Sequence, residues 1–286
     1  MFDWSRGSLL KAMQRVKVPH ATYDPLLKGF AYAWVQSVLR FKPSATVLDV
    51  GCGASPFFVD DLRQLYHIDA HGMDKSAAAK NVREVYRITP EGQVRRETLS
   101  WGLTEDTAGR FPAVRLWDAF AGDGTGPDEY FDAVLSVSTL EHVYDSAKPV
   151  AKDAMYPHYD VLRDMARMVK PGGVLAVTYD FPLGYPYTPG WSPSADHEFL
   201  ITLGMHPCYW KRVPVSETFL YNHPDTLFVQ PDMILAFCDY LYRIAIVCFA
   251  FQKPGQVAAK VTYRPNAHLV QLLERGPLEH PIIPPE

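Results

Sequence analysis

The stretch Val47-Leu48-Asp49-Val50-Gly51-Cys52-Gly53 constrains this chain more than any other. Ala45 to Val50 is a short run of β-branched and apolar residues, which predicts a buried strand, and it stops at two glycines flanking one small residue. Glycine lets the backbone turn tightly and brings main-chain N–H groups close to whatever lies beyond the strand end. From Pro56 to Tyr66 a helical spacing resumes, so the turn opens a helix whose first N–H groups have no partner within it. The order is strand, bare turn, helix. A second unit repeats it, with Tyr66 to Met73 as strand, Asp74 at its end and Ser76 to Tyr86 as helix. Further strands are expected at Ala113 to Trp117, Phe131 to Val137, Val174 to Tyr179 and Arg243 to Phe251. Helices are expected from Pro25 to Phe41 and from Tyr156 to Val169, the latter ended by Pro171-Gly172-Gly173. This alternation implies an α/β fold with a mostly parallel sheet covered by helices on both faces.

Of the 286 residues 48% are hydrophobic, enough for a sizeable core, and 28 basic against 32 acidic side chains give a net charge of −4. Proteins that bind by neutralising phosphates usually carry a basic excess, so no nucleic-acid partner is expected. No apolar stretch approaches the ~18 residues of a bilayer-spanning helix, and Tyr240 to Phe251 is interrupted by Arg243. Met1 to His20 lacks the continuous apolar core of a secretion signal and reads as an amphipathic helix, with Leu9, Met13 and Val16 on one face. Cys52, Cys208, Cys238 and Cys248 form no CxxC pair, which fits reduced thiols and a cytoplasmic location. The expected organisation is a helical cap over residues 1–43, a central domain over 44–253 and an extension over 254–286. Thr89 to Phe111 is polar and reads as an inserted loop. In a second insertion, 181–224, prolines alternate with aromatics, which suits a lid over a ligand or a surface excursion with its own aromatic core. The proline-rich tail from Arg275 is expected to be irregular.

The glycine turn gains meaning from Asp74. A carboxylate at the end of the neighbouring strand accepts hydrogen bonds from both hydroxyls of a ribose; the bland reading is a cap for the next helix. A dinucleotide oxidoreductase would use the same parts, but its GxGxxG pattern requires glycine where this chain has Pro56. A cofactor with a ribose and no phosphates fits better.

Five segments taken in order carry a resemblance: Asp49-Val50-Gly51-Cys52-Gly53; Asp74; Trp117-Asp118-Ala119; Phe131-Asp132-Ala133-Val134-Leu135-Ser136 running into Leu140-Glu141-His142-Val143; and Met168-Val169-Lys170-Pro171-Gly172-Gly173-Val174-Leu175. Together they resemble the class I S-adenosylmethionine-dependent methyltransferases over Ala45 to Asp180. The resemblance implies a Rossmann-like, mostly parallel seven-stranded sheet with a last antiparallel strand, and S-adenosyl-L-methionine as cofactor. It puts Gly51 and Gly53 beside the methionine portion, Asp49 in support of that loop, Asp74 on the ribose, Asp118 and the Ala119 N–H at the adenine, and Ser136 near the cofactor. Ser55 departs from the pattern, since many members have a third glycine there.

Methyl transfer is an in-line attack on a sulfonium methyl, which requires alignment and exclusion of water. For a hydroxyl acceptor a base is useful. His142 after the fourth strand is the first catalytic candidate, Asp180 at the end of the fifth the second, and His197 with Glu198 the third. His142, His158, Asp180 and His197 are scattered in sequence, and no metal is expected. Ser138-Thr139-Leu140-Glu141 stands where methyltransferases of DNA amines carry an Asn/Asp-Pro-Pro-aromatic segment, and Pro207-Cys208 lies too late for a cytosine-ring nucleophile. The expected acceptor is a small molecule or sugar, methylated at oxygen first and nitrogen second. The competing readings are an N-methyltransferase and a non-catalytic S-adenosylmethionine-binding sensor or partner subunit; a homo-oligomer stays open.

Overall fold

Burial along the central strand sets the layers. Val47 joins one apolar cluster, with Ala31, Trp34, Val35, Phe58, Leu62 and Leu135, whereas Leu48 and Val50 join another, with Val134, Leu162, Met165, Leu175 and Phe249. Successive side chains of a strand point to opposite faces, so both faces of this sheet are covered. The computed structural model describes residues 27–75, 82–88, 94–100, 102–119, 121–141, 143, 157–183, 193–208, 227–229, 243–255 and 259–264.

In chain order the elements are α1 (Leu27–Val38), β1 (Leu39–Phe41), β2 (Thr46–Val50), α2 (Phe57–Tyr66), β3 (Asp69–Asp74), β4 (Val82–Ile88), β5 (Val94–Ser100), α3 (Glu105–Arg110), β6 (Arg115–Asp118), β7 (Phe131–Val137), α4 (Pro157–Met168), β8 (Val169–Leu183), α5 (Pro193–Thr202), β9 (His206–Pro207), β10 (Leu227–Val229), β11 (Arg243–Gln252) and β12 (Val261–Tyr263). The main sheet runs β10-β11-β8-β7-β2-β3-β6, with β9 paired to β11. From β8 to β6 the pairs are parallel, and β11 returns antiparallel along β8. This is the Rossmann-like sheet, with its late antiparallel strand, that the resemblance implies. Helices α1 and α2 supply the first apolar layer, and α4 and α5 supply the second.

Several elements differ from the sequence reading. Tyr66 ends α2 rather than opening a strand. His67 then takes a left-handed conformation with φ 55°, and β3 starts only at Asp69. The segment read as a helix ending at Tyr86 contains β4, which pairs antiparallel with β5 inside what was expected to be a loop. Its β-branched residues, Val82, Val85 and Ile88, suit a pleated pair once a partner strand exists. Strand β8 continues through Asp180 to Leu183, since β11 pairs with it from Arg243 to Gln252. Within the 181–224 insertion, α5 and Met205 pack into the main core, while Tyr185, Tyr187, Trp191, Tyr209, Trp210, Phe219 and Tyr221, on which the lid expectation rests, lie outside the described residues. The tail from Arg275 lies outside the described residues. Among the described residues no helix is long and apolar enough to cross a membrane.

The amino ends of the central strands are tied by side chains. One carboxylate oxygen of Asp132 accepts from the Thr46 N–H at 2.8 Å and the Thr46 hydroxyl at 2.9 Å, and Lys170 Nζ reaches both Asp132 and Thr46 at 3.2 Å.

Candidate active site

Gly51 and Gly53 both have positive φ, 79° and 65°. At Gly51 the requirement is double, because a Cβ there would overlap the Thr139 side chain. The Thr139 hydroxyl in turn donates to the Gly51 carbonyl at 3.4 Å. At Gly53 nothing lies within 4 Å of where a Cβ would stand, so only the backbone conformation demands glycine there. The turn is anchored to β3: Gly51 N–H donates to the Met73 carbonyl at 2.8 Å, and Gly53 N–H donates to Asp74 Oδ2 at 2.8 Å.

Asp74 thus joins the glycine turn to the end of the second strand. Its Oδ1 accepts from the Lys75 N–H at 2.8 Å. Burial pushes this carboxyl above its usual range, while the two N–H bonds from Gly53 and Lys75 pull it down. Two amides under-compensate the buried charge, and each oxygen keeps acceptor capacity, so the group is suited to further hydroxyl donors. The carboxylate turns back to the glycine loop; the start of the helix it was also expected to cap, near Ser76, lies outside the described residues. Asp49 is buried at 6% exposure, on the opposite face from Leu48 and Val50. Burial first, then the nearby Asp49 and Asp74, raise the Cys52 thiol well above its ordinary value, so it is a neutral packing group.

Asp118 is the direct cross-strand partner of Asp74, and its side chain is exposed. The Ala119 N–H, expected at the adenine, donates instead to the Asp74 carbonyl at 3.2 Å, so this donor is used to close the sheet. Ser136 is fully buried, and among the described residues its hydroxyl has no hydrogen-bond partner. Of the catalytic candidates, His142 lies outside the described residues, and the backbone of Asp180 stands opposite Ile246 within β8 rather than at the strand's end. His197 is a core residue at 5% exposure, its ring 5.0 Å from that of Phe249 and 5.1 Å from that of Phe251.

Three features of the site escaped the sequence reading. Ser138, just past β7, has φ 47° although it is not glycine, and its N–H donates to the carbonyl and hydroxyl of Thr178 at 3.0 and 3.1 Å. Such strained residues concentrate at functional sites. Helix α3, inside the supposed loop, braces the glycine turn: the buried Thr107 hydroxyl donates to the Ala54 carbonyl at 3.0 Å, and Arg110 reaches the Ser55 hydroxyl at 3.2 Å. The Thr104-x-x-Thr107 box that starts α3 was the available signal. The third feature is a buried polar group beside β8, comprising Tyr179, Asp196 and Glu141, each at 0% exposure. Burial, then Asp196, then Glu141 and Tyr159, hold the Tyr179 phenol well above its ordinary value. At Cys208 burial lifts the thiol to about 12, which removes it as a nucleophile.

A family model described as a methyltransferase domain matches residues 7–203, well over half of the chain. The chain belongs to this family. The protein is an S-adenosylmethionine-dependent methyltransferase, and the glycine turn and Asp74 lie in the matched region. No curated protein matches it. Among solved structures, it is similar to phosphoethanolamine N-methyltransferase 2 of Haemonchus contortus in complex with S-adenosyl-L-methionine, with 13% identity over 88% of this chain and 58% of that one and a TM-score of 0.49. It is also similar to the [4+2]-cyclase SpnF, at 16% identity over 82% and 85% of the two chains with a TM-score of 0.47. A TehB-like methyltransferase of Corynebacterium glutamicum gives 14% over 87% and 100%, with a TM-score of 0.43. None of these likenesses assigns a residue role to this methyltransferase.

Proposed function

We propose that the methyltransferase binds S-adenosylmethionine across the carboxyl ends of β2, β3, β6 and β7 and methylates a small-molecule or sugar acceptor, at oxygen in the first reading. The observation that carries the cofactor placement is the 2.8 Å bond from Gly53 N–H to Asp74, which makes the glycine turn and the second-strand carboxylate one unit. The residues fit the group: a half-buried, under-compensated carboxylate would accept from the ribose hydroxyls, open space adjoins Gly53, and the buried Ser136 hydroxyl lies near the end of the neighbouring strand. Asp118, across from Asp74, accepts from the exocyclic amine of adenine. Asp49 supports the glycine loop.

When bound, the cofactor supplies an electrophilic sulfonium methyl. The chain's own work is to hold the acceptor in line with that methyl, exclude water and take up the acceptor's proton. His142 Nε2 or Nδ1 takes the hydroxyl proton as the acceptor oxygen attacks, and the Asp180 carboxylate is the second base. The acceptor class rests on sequence: the segment after β7 is Ser138-Thr139-Leu140-Glu141, the net charge is −4, and the 181–224 segment is rich in aromatic residues. An N-acceptor is the alternative, and there the base is dispensable for an amine that arrives unprotonated.

Incubation with methyl-labelled cofactor and fractionated metabolites tests the acceptor. Label in a neutral hydroxyl-bearing fraction, lost in His142→Ala, supports the O-methyl reading. Label confined to amines replaces it with N-methylation, and tight cofactor binding without any labelled product favours the sensor reading.

A further inference from the structure

The adenosine clamp leans on an edge strand. Strand β6 has four residues, ends the order of the main sheet and pairs only with β3 among the described residues. The register places Met73 opposite Trp117 and Asp74 opposite Asp118. A slip of one residue would turn these side chains to the wrong faces, and a short strand with one neighbour has few bonds to prevent it.

One buried histidine supplies the missing constraint. His71, on β3 at 1% exposure, accepts a hydrogen bond at Nδ1 from the Trp117 indole N–H at 3.0 Å. An acceptor at Nδ1 means that the neutral ring carries its proton on Nε2. That atom faces Asp69 at 3.4 Å, and Asp69 lies 3.6 Å from Arg115 Nε, back on β6. Arg115, Asp69, His71 and Trp117 therefore form a chain of contacts that leaves β6, crosses β3 and returns to β6. The imidazole is wedged among rings, with Trp117 stacked at 6.0 Å and Tyr130 and Phe131 edge-on at 5.9 and 5.1 Å. Burial also lowers its pKa, against the pull of Asp69.

Asp118 sits between two bonds that fix β6 to β3: the indole bond of Trp117 on one side, and the Ala119 N–H to the Asp74 carbonyl at 3.2 Å on the other. We propose that His71 is a positioning residue for cofactor recognition, setting Trp117 and thereby the placement of Asp118 against the adenine end of the ligand. This rests on the reading of Asp118 and Asp74 as the adenosine clamp. A leucine would fill the same apolar space but leave the half-buried indole N–H without its acceptor, whereas asparagine retains an oxygen near the place of Nδ1.

The test is S-adenosylhomocysteine affinity by calorimetry on folded variants, with thermal midpoints measured in parallel. His71→Leu is expected to weaken binding about tenfold and His71→Asn by less than about threefold, and Asp118→Ala is expected to cost much less in the His71→Leu background than alone. Unchanged affinity in His71→Leu, with only the midpoint moved, overturns the proposal, as does full additivity with Asp118→Ala. Should His71→Leu not fold, Trp117→Phe removes the same bond from the donor side; it is expected to weaken binding similarly, and unchanged affinity overturns the proposal. If Asp74→Ala and Asp118→Ala both bind as the parent does, the adenosine reading itself fails, which is a different result from a failure of His71 alone.

Discussion

The two halves of the carboxyl edge are built differently. The cofactor half, β2, β3 and β6, consists of strands of five, six and four residues, and its polar groups are tied to neighbouring main chain: Gly53 to Asp74, Ala119 to Asp74, Thr107 to Ala54. The half around β8 and β11, with strands of 15 and 10 residues, is organised by a buried group of side chains, Tyr179, Asp196 and Glu141. In the first half the polar groups are held by backbone geometry and short-range motifs. In the second half the buried polar groups are side chains gathered from segments far apart in sequence.

If the halves are functionally separate, damage should stay on its own side. The largest effect is expected at His142: alanine lowers turnover about 10²–10⁴-fold if it is the general base, with S-adenosylhomocysteine affinity unchanged in calorimetry. A loss under roughly tenfold makes it pocket lining. Gly51→Val should follow, because it meets both the positive φ and the Thr139 side chain. Cofactor affinity is expected to drop about a hundredfold, with a cost of about 2–4 kcal/mol in denaturant unfolding. Restored affinity on pairing Gly51→Val with Thr139→Ala would show that the overlap, not the backbone, decides. Asp74→Ala should weaken the cofactor by about 1–3 kcal/mol and leave acceptor-side variants unaffected.

The pH dependence of Asp74 sharpens the same division. Its carboxyl lies above its unfolded value through burial, so the folded chain binds more protons in the window between the two. Its contribution to folding stability is present below that window and falls as pH rises through it. Cofactor affinity is expected to run the other way, since the proposed ribose recognition uses the carboxylate. Opposite slopes in thermal midpoint and in calorimetric affinity, both absent in Asp74→Ala, are the expected result. The smallest effect is expected from Tyr179→Phe, which removes a buried hydroxyl beside Asp196 at about 1 kcal/mol of stability without changing cofactor affinity.

The sequence made the cofactor half readable because its determinants are local. Gly51 and Gly53 announce a turn, Asp74 and Asp118 follow β-branched or apolar residues, and the order of these segments matches the sheet. What it concealed depends on partners. Val82 to Ile88 reads as helix or strand until Val94 to Ser100 pairs with it. The left-handed His67 that delays β3, the strained Ser138, and the contact of Thr139 with Gly51 have no signature in a linear pattern. Likewise His71 and Trp117, 46 residues apart, are joined only by the sheet. In the sequence His197 is a candidate base by residue type alone; its neighbours, Phe249 and Phe251, come from β11 and make it core.

Titration of the folded protein and of Asp74→Ala with S-adenosylhomocysteine tests the central claim most directly. The expected result is saturable binding at one site per chain, weakened about tenfold or more in the variant. Absence of binding to the parent, or equal affinity in the two, contradicts it.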